Sequence, residues 1–382
     1  MKIVIAPDSF KESLDALAVA QAIEAGFKRV FPQAQYELIP MADGGEGTVQ
    51  SLVDATHGCI ERVSVTGPLG ECVRAFFGVS GDGKAAFIEM SAASGLHLVP
   101  MAQRNPLTTT SYGTGELIKA ALDLDVKRII LGLGGSATND AGAGMLQALG
   151  VRFLDERGQM IAWGGAALAS VAQVDLSQLD ARLAKVSIQV ACDVDNPLCG
   201  ERGASAVFAP QKGATPQQVM QLDHALAHFA AVVRSQLGLD IASHAGAGAA
   251  GGMGGGLMLL PHVQMQSGVQ IVAEAVRLAE RLRDADLVIT GEGRMDGQSI
   301  HGKTPIGVAR VAKQFDKPVI ALVGSLGEGY EAVYAHGIDA VFPIIRQVGD
   351  LAGALKQAQG NLMSCAENVA CLLKCKTIKN PQ

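Results

Sequence analysis

A cluster of glycine, hydroxyl and amide residues offers the clearest chemistry in the sequence. It follows a short apolar run, 128–133, and precedes a helix-compatible run, 145–149. Glycine lets backbone approach a ligand closely, and the first N–H groups of a helix bind anions such as phosphate. The segment therefore predicts a strand, a phosphate-binding loop and a helix start. The predicted cofactor-binding residues of this loop are Gly134, Gly135, Ser136, Thr138, Asn139 and Asp140.

The alternative for this loop is a tight strand-to-helix turn without a ligand. Its spacing matches neither the GxxxxGKS/T loop nor the GxGxxG turn of dinucleotide-binding proteins. We favour the ligand, because a plain turn needs only one of the four clustered polar side chains.

Carboxylates gather at the ends of several apolar runs, where they could move a proton or hold a metal ion. Asp193 directly follows the run 187–192 and is predicted to be catalytic, as the acceptor of a substrate hydroxyl proton. Mg²⁺ binds one or two protein carboxylates together with nucleotide phosphates, and the predicted ligands are Asp43 and Asp296. Each of these carboxylates could instead serve only the backbone of its turn, and which of them meets the metal is left open.

Two lysines, Lys11 and Lys303, lie within a few residues of predicted strand ends. A lysine can neutralise charge on a transferring phosphoryl group, so Lys11 is predicted to be catalytic and Lys303 to bind the cofactor. Solvated surface lysines are the alternative. Further polar residues at or near strand ends are predicted to bind the substrate: Asp8, Ser9, Ser91, Glu292 and Arg294.

Strands and helices alternate at both ends of the chain, which predicts an α/β fold. The apolar segments 2–7 and 36–40 flank a helical pattern, and the segments 286–290, 318–323 and 340–345 repeat this alternation downstream. Such alternation favours a parallel sheet with right-handed crossovers.

These five strands predict one flavodoxin- or Rossmann-like domain that is interrupted by a second α/β domain. The predicted bounds are 1–65 with 266–382 for the discontinuous domain and 66–265 for the insert. Open α/β sheets bind ligands at the carboxyl ends of their strands, so the active site is expected in the cleft between the two domains. The glycine–alanine tract 245–256 is expected to be a flexible linker, a hinge or a close-approach loop.

Composition limits the classes of partner. The 382 residues carry a formal net charge of −6 without a basic block, and only 4% are aromatic, so no nucleic-acid surface is expected. No membrane span is expected either, because no apolar run reaches about 18 residues. The seven scattered cysteines suit reduced thiols in a cytoplasmic protein. Small-molecule substrates are the expected partners, and a homo-oligomer is left open.

Five motifs in order make the chain resemble the bacterial class II glycerate kinases. They have the sequences IAPDSFKES, ADGGEGT, GGSATND, ACDVDNPL and TGEGR, and they occupy residues 5–13, 42–48, 134–140, 191–198 and 290–294. The resemblance covers nearly the whole chain. It implies a two-domain α/β kinase that uses ATP and Mg²⁺ to phosphorylate D-glycerate, giving 2-phosphoglycerate and ADP.

Two alternatives to this activity are kept. One is a glycerate kinase that forms 3-phosphoglycerate, and the other is a non-catalytic sensor of hydroxy acids. A dinucleotide-dependent dehydrogenase is disfavoured, because the sequence contains no strand–GxGxxG–helix unit. The lysine-rich tail after Leu373 is expected to be dispensable.

Overall fold

The computed structural model describes residues 1–378; residues 379–382, the end of the tail expected to be dispensable, lie outside the described residues. The strands in this part are β1 Lys2–Ile5, β2 Gln35–Leu38, β3 Cys59–Thr66, β4 Cys72–Val79, β5 Ala85–Glu89, β6 Arg128–Gly132, β7 Arg152–Leu154, β8 Gln173–Asp175, β9 Ser187–Ala191, β10 Val263–Gln266, β11 Leu287–Thr290, β12 Arg294–Met295, β13 Val319–Val323, β14 Ser325–Leu326 and β15 Ala340–Pro343. The α-helices are α1 Ala16–Lys28, α2 Thr48–Thr56, α3 Ser91–Ser94, α4 Tyr112–Asp123, α5 Ala143–Ala148, α6 Ala204–Phe208, α7 Pro216–Leu237, α8 Ala249–Leu257, α9 Gly268–Ala275, α10 Leu278–Leu282, α11 Thr304–Lys313 and α12 Leu351–Ile378.

Contacts divide the chain into two compact units. The first unit comprises residues 1–43, 50–57 and 268 onward, and the second comprises 44–49 and 58–267. That these units are independently folding domains with the active site between them stays a prediction.

The first unit is built on a five-stranded parallel sheet with the order β15-β13-β11-β1-β2. Counted within the unit, this is the 2-1-3-4-5 order of flavodoxin-like folds, which bind ligands beyond the strand ends where the order reverses. In this chain the reversal lies between β1 and β11, so a ligand is expected at the segments that follow these two strands. The predicted α/β fold, with a parallel sheet built from both chain ends, is confirmed.

Helix α12 packs on the first unit through an apolar face that it shares with α1. Leu362, Ala366 and Val369 of α12 lie in one core with Val19 and Ile23 of α1. The sequence predicts this final helix from apolar residues that repeat at three- and four-residue spacing between Leu351 and Leu372, and the burial follows that spacing. The predicted apolar stripe extends beyond this core, however, because Leu351 at the helix start is 72% exposed.

The second unit contains a six-stranded mixed sheet with the order β10-β9-β6-β5-β4-β3. Strands β5, β6, β9 and β10 run parallel, whereas β4 is antiparallel to both of its neighbours. The sequence pattern predicts five strands in the insert, at 60–65, 72–79, 85–90, 128–133 and 187–192. All five are present in this sheet, with ends that differ by at most one residue.

Short elements account for most differences from the predicted secondary structure. The sequence pattern did not indicate β7, β8, β12 or β14, which are two or three residues long. The sequence pattern of 328–336 predicts a helix, and the structure has a 3₁₀ helix at Tyr330–His336. Along residues 1–378, no helix combines the length and the apolar character that crossing a membrane requires.

Candidate active site

A pocket of about 420 Å³ opens at the carboxyl edge of the sheet in the first unit. The topology explains its position, because its polar wall includes the segments that follow β1 and β11. Of the predicted site residues, the pocket lining brings together Asp8, Ser9, Lys11, Asp43, Glu292, Arg294 and Lys303. Asp296 lies outside this lining, although its carboxylate approaches the side chains of Lys303 and Arg294.

Asp8 is fixed at the end of β1 by hydrogen bonds on both sides. Its amide donates to the Gly291 carbonyl at 2.9 Å, and its carboxylate accepts from the Ser9 amide and the Thr304 hydroxyl, both at 2.6 Å. Burial, followed by the negative charge of Asp43, raises the pKa of Asp8 to about 6, although the two accepted hydrogen bonds oppose this shift. A carboxyl group whose pKa lies near neutrality is typical of a functional site.

Glu292 and Lys303 form an ion pair in the same pocket, with 3.2 Å between Oε2 and Nζ. The hydroxyl of Ser299 donates to the other carboxylate oxygen at 2.6 Å. Burial raises the pKa of Glu292, while the Ser299 hydrogen bond and the Lys303 charge oppose that rise. Because Nζ of Lys303 also lies 3.9 Å from Asp296, this ammonium is shared by two carboxylates.

Lys11 differs from Lys303 in having an exposed side chain without an ion pair to any described residue. It stands in a tight turn that is closed by two backbone hydrogen bonds between Phe10 and Leu14, at 2.8 and 2.9 Å. The turn presents Lys11 to the pocket, so its charge is available to an anionic ligand.

Three predicted site residues follow the ends of adjacent parallel strands in the second unit, and these strands end at the same level of the sheet. Strands β5, β6 and β9 pair in parallel register through their last residues, which are Glu89, Gly132 and Ala191. Ser91, Gly134 and Asp193 each lie two positions beyond these pairs. A Cβ placed on Gly135 would lie 3.4 Å from the Cβ of Ser91, which shows how closely the first two segments approach. Asp193 is exposed at this edge.

The first half of the glycine-rich loop is open to ligands. Gly134 and Gly135 are exposed, and the amides of residues 134–136 donate to no other described residue. Gly135 has φ +72°, a left-handed conformation that glycine adopts without strain. Successive backbone amides whose N–H groups are not used within the protein can form a concave site that binds an anion.

The second half of the loop is buried, and Asp140 organises it. Its carboxylate accepts hydrogen bonds from the amides of Gly142 and Gly144 and from both the amide and the hydroxyl of Ser111, at 2.8–3.2 Å. The Ser111 hydroxyl then accepts from the amide of Met145. The amides at the start of α5 therefore already have partners, so the predicted binding of phosphate by this helix start does not fit the structure.

Thr138 and Asn139 are also fully buried, so their side chains are not exposed at the surface of the loop. The Asn139 amide group donates to the Ser205 hydroxyl at 3.0 Å. Behind them lies the tract 245–256, which is a close-approach segment and not a linker. A Cβ on Gly251 would lie 2.0 Å from the Thr138 carbonyl oxygen, so only glycine permits this contact.

Lys212 supports the same loop, although the sequence analysis did not single it out. The side chain is 1% exposed, and Nζ donates to the Ser136 hydroxyl at 2.8 Å and to the Thr138 carbonyl at 2.6 Å. Burial lowers the pKa of Lys212 to about 7, and the charge of Asp140 opposes this shift. No signal distinguished this lysine from a surface lysine, because the segment 210–213, PQKG, resembles an ordinary turn.

Replacing Lys212 by methionine is expected to change how stability depends on pH. The folded protein loses the Lys212 proton near pH 7, whereas the unfolded chain keeps it up to its ordinary pKa of 10.5. The unfolded chain therefore binds more protons between these values, and wild-type stability should rise with pH across this window. Denaturant unfolding should show the wild type gaining about 2 kcal/mol over Lys212→Met between pH 7 and 9. Parallel pH profiles would contradict the lowered pKa.

Glu89 is a second supporting residue that no predicted role covered. Its carboxylate accepts from the Val49 amide at 2.9 Å and also from the amides of Gly47 and Thr48. Burial raises its pKa, and these three hydrogen bonds oppose the rise. Glu89 therefore holds the glycine-rich segment 42–48 at the start of α2. The available signal was an acidic residue at the end of a fully apolar strand.

Comparison with known proteins identifies the family. The family model described as the glycerate kinase family matches residues 3–374. The chain belongs to the glycerate kinase family. This confirms the resemblance drawn from the five motifs and the prediction of a phosphotransferase that acts on an alcohol group.

Individual members of the glycerate kinase family match along their full length. A glycerate kinase of Haemophilus influenzae is 66% identical over 376 residues, which cover 98% of this chain and all of the relative. The glycerate 2-kinase of Escherichia coli K12 is 54% identical over 373 residues, 98% of each chain. A Salmonella typhimurium LT2 crystal structure, assigned as a glycerate kinase 2, superposes with a TM-score of 0.92 at 56% identity over 99% of both chains.

Proposed function

We propose that the protein transfers the terminal phosphoryl group of ATP to the 2-hydroxyl of D-glycerate, giving 2-phosphoglycerate and ADP. Membership of the glycerate kinase family makes a glycerate kinase the main hypothesis over a sensor. The observation that carries the choice of hydroxyl is the 54% identity, along 98% of both chains, with a relative named glycerate 2-kinase.

Phosphoryl transfer requires mainly positioning and stabilisation of charge. In this proposal Lys11 offsets the negative charge of the transferred group, because its ammonium faces the pocket without an ion-pair partner among the described residues. Lys303 binds the nucleotide phosphates in exchange for part of its contact with Glu292 and Asp296. Glu292, Arg294 and Ser9 contribute polar groups to the same pocket.

The charge pattern of the pocket suits Mg²⁺. Asp8 and Asp43 both line it, and the charge of Asp43 raises the pKa of Asp8, which indicates that the two carboxylates lie close together. Within residues 1–378, no group of three or more histidine, cysteine or acidic side chains could hold a metal by itself. Mg²⁺ needs only one or two carboxylates when phosphates supply the remaining oxygens. Asp8 and Asp43 would hold it, and it would neutralise phosphate charge.

The second unit supplies groups that suit glycerate, the acceptor of the phosphoryl group. Asp193 accepts the proton of the glycerate hydroxyl in this proposal, and Ser91 follows β5, which is separated from β9 by β6 in the same sheet. The free amides of Gly134, Gly135 and Ser136 bind an anion, for which a nucleotide phosphate was predicted and the glycerate carboxylate is equally suited. Asp296 lies 3.5 Å from Arg294 and 3.9 Å from Lys303, and its predicted binding of metal stays a prediction.

The proposed activity is tested by incubating the protein with ATP, Mg²⁺ and D-glycerate and coupling the product to enolase alone. Enolase dehydrates 2-phosphoglycerate directly, whereas 3-phosphoglycerate must first be isomerised by a mutase. We expect signal without the mutase. A signal that requires the mutase would establish the 3-phosphoglycerate alternative, and glycerate binding without ADP formation would establish the sensor.

We also propose that the protein works in the cytoplasm on these small molecules. All seven cysteines are free thiols, which suits a reducing compartment. Fractionation of the source cells would test this placement, and light scattering of the purified protein would test whether it is a homo-oligomer.

A further inference from the structure

The pocket of the first unit has two chemically different halves. Its charged half contains the lysines and carboxylates described above. The other half is apolar and is formed by Phe10, Ile344, Ile345, Leu351, Leu355 and Ala358. Glycerate is a small acid with polar groups on every carbon, so it gains nothing from an apolar wall, and it is too small for a pocket of about 420 Å³.

The apolar half is only partly covered by the protein itself. Ile345 is 51% exposed and Leu351 is 72% exposed, whereas Ala358, further along the same face of α12, is 5% exposed. The apolar stripe of α12 therefore continues from the core into the wall of the pocket. Covering this surface with a flat apolar ring is favourable, since the free energy gained scales with the apolar area removed from water.

Asn361 adds a polar group with defined hydrogen-bonding capacity to this wall. It lies one helical turn beyond Ala358 on α12 and lines the pocket, and its carboxamide forms no hydrogen bond to another described residue. A carboxamide presents a donor beside an acceptor, which matches the amine and adjacent ring nitrogen of adenine.

We propose that this apolar half binds the adenine ring of ATP and that Asn361 hydrogen-bonds to the edge of the ring. The phosphates then extend toward Lys11 and Lys303 in the charged half of the same pocket. The inference rests on the proposed function in taking ATP as the nucleotide. It places the base in the first unit, at a position that the glycine-rich loop of the second unit did not indicate.

Filling the apolar half should weaken nucleotide binding selectively. Ala354 is half-buried in the pocket wall, so Ala354→Phe would place a ring where the base lies. We expect the KM for ATP to rise by about tenfold or more, with the KM for D-glycerate unchanged. Calorimetric binding of ADP, which needs no turnover, should weaken in parallel. Gln357→Phe introduces the same aromatic ring at an exposed position outside the lining and should leave both values unchanged.

Removing the hydrogen-bonding group should relax the choice of base. In Asn361→Leu the apolar contact is kept, so we expect the ratio of kcat/KM for ATP over GTP to fall by about tenfold or more. Circular dichroism and the melting temperature of both pocket variants would confirm that they are folded.

The outcomes separate this inference from the proposed function. A rise in the KM for glycerate alone in Ala354→Phe, or unchanged ADP binding by this folded variant, would overturn the adenine site. If the wild type binds ADP and Ala354→Phe does not, the adenine site stands even if no phosphoglycerate is formed, and only the proposed function fails.

Discussion

Replacing Lys11 by methionine is expected to lower kcat by about 100-fold or more while leaving the melting temperature unchanged. The expected loss is large because charge develops on the transferred phosphoryl group, and Lys11 is the pocket lysine whose ammonium has no carboxylate partner among the described residues. The expected effect on stability is small because the side chain is exposed. Steady-state kinetics with ATP and D-glycerate, together with thermal unfolding, would measure both.

A matched control for Lys11→Met is Lys356→Met. Lys356 is an exposed lysine of the same unit that lies outside the pocket lining, so its loss removes the same net charge without touching the pocket. We expect this control to keep the wild-type kcat. An equal fall in both variants would trace the effect to net charge, and a wild-type kcat in Lys11→Met would remove this residue from the mechanism.

The sequence predicted the parts of the fold that depend on periodic patterns. β-branched apolar runs such as 2–5 and 319–323 have few alternatives to buried parallel strands, and their alternation with helices determined the sheet built from both chain ends. Because parallel strands share one carboxyl edge, residues as distant in sequence as Asp8 and Glu292 could be placed together before the structure was known. The pocket lining contains both.

The buried supports of the site could not be predicted, because their roles depend on burial. Asp140 and Lys212 are charged residues that are normally exposed, yet both are almost completely enclosed behind the glycine-rich loop. The sequence placed Asp140 correctly beside the loop, but the same residue type suits a ligand contact and an internal cap. Only the four hydrogen bonds that its carboxylate accepts from the backbone and from Ser111 decide between them.

In the proposed chemistry the pocket of the first unit suits the nucleotide, and the glycine-rich loop of the second unit suits glycerate. The periodic sequence pattern did not reveal this assignment. The charged and apolar halves of the first-unit pocket suit a nucleotide, whereas the second unit presents free amides and the exposed Asp193 at the carboxyl ends of its strands. The glycine-rich loop was predicted to bind a nucleotide from its sequence alone. That sequence could not distinguish a nucleotide from glycerate, because glycine-rich backbone amides bind phosphate and carboxylate equally well. Apolar surface distinguishes a nucleotide from glycerate, and the stripe of α12 supplies such surface in the first-unit pocket.

Replacing Asp193 by asparagine should lower kcat by about 100-fold or more and change ADP binding little. Asparagine keeps the size and the polarity of the side chain but cannot accept a proton from the substrate hydroxyl. Asp193 is exposed and lies two residues beyond the end of β9. The parallel strands β5 and β6 end at the same level of the sheet. Kinetics and calorimetric binding of ADP on the same preparation would separate the chemical step from nucleotide affinity.

Asp195 provides the control, since it is exposed in the same loop and its carboxylate pairs with Arg202 at 3.0 Å. Exposed ion pairs contribute little to stability, so Asp195→Asn should keep both kcat and ADP binding. If Asp193→Asn and Asp195→Asn lower kcat alike, the loop matters for its shape or charge and not as a base. If Asp193→Asn turns over at the wild-type rate, the base must be sought among the carboxylates that line the pocket.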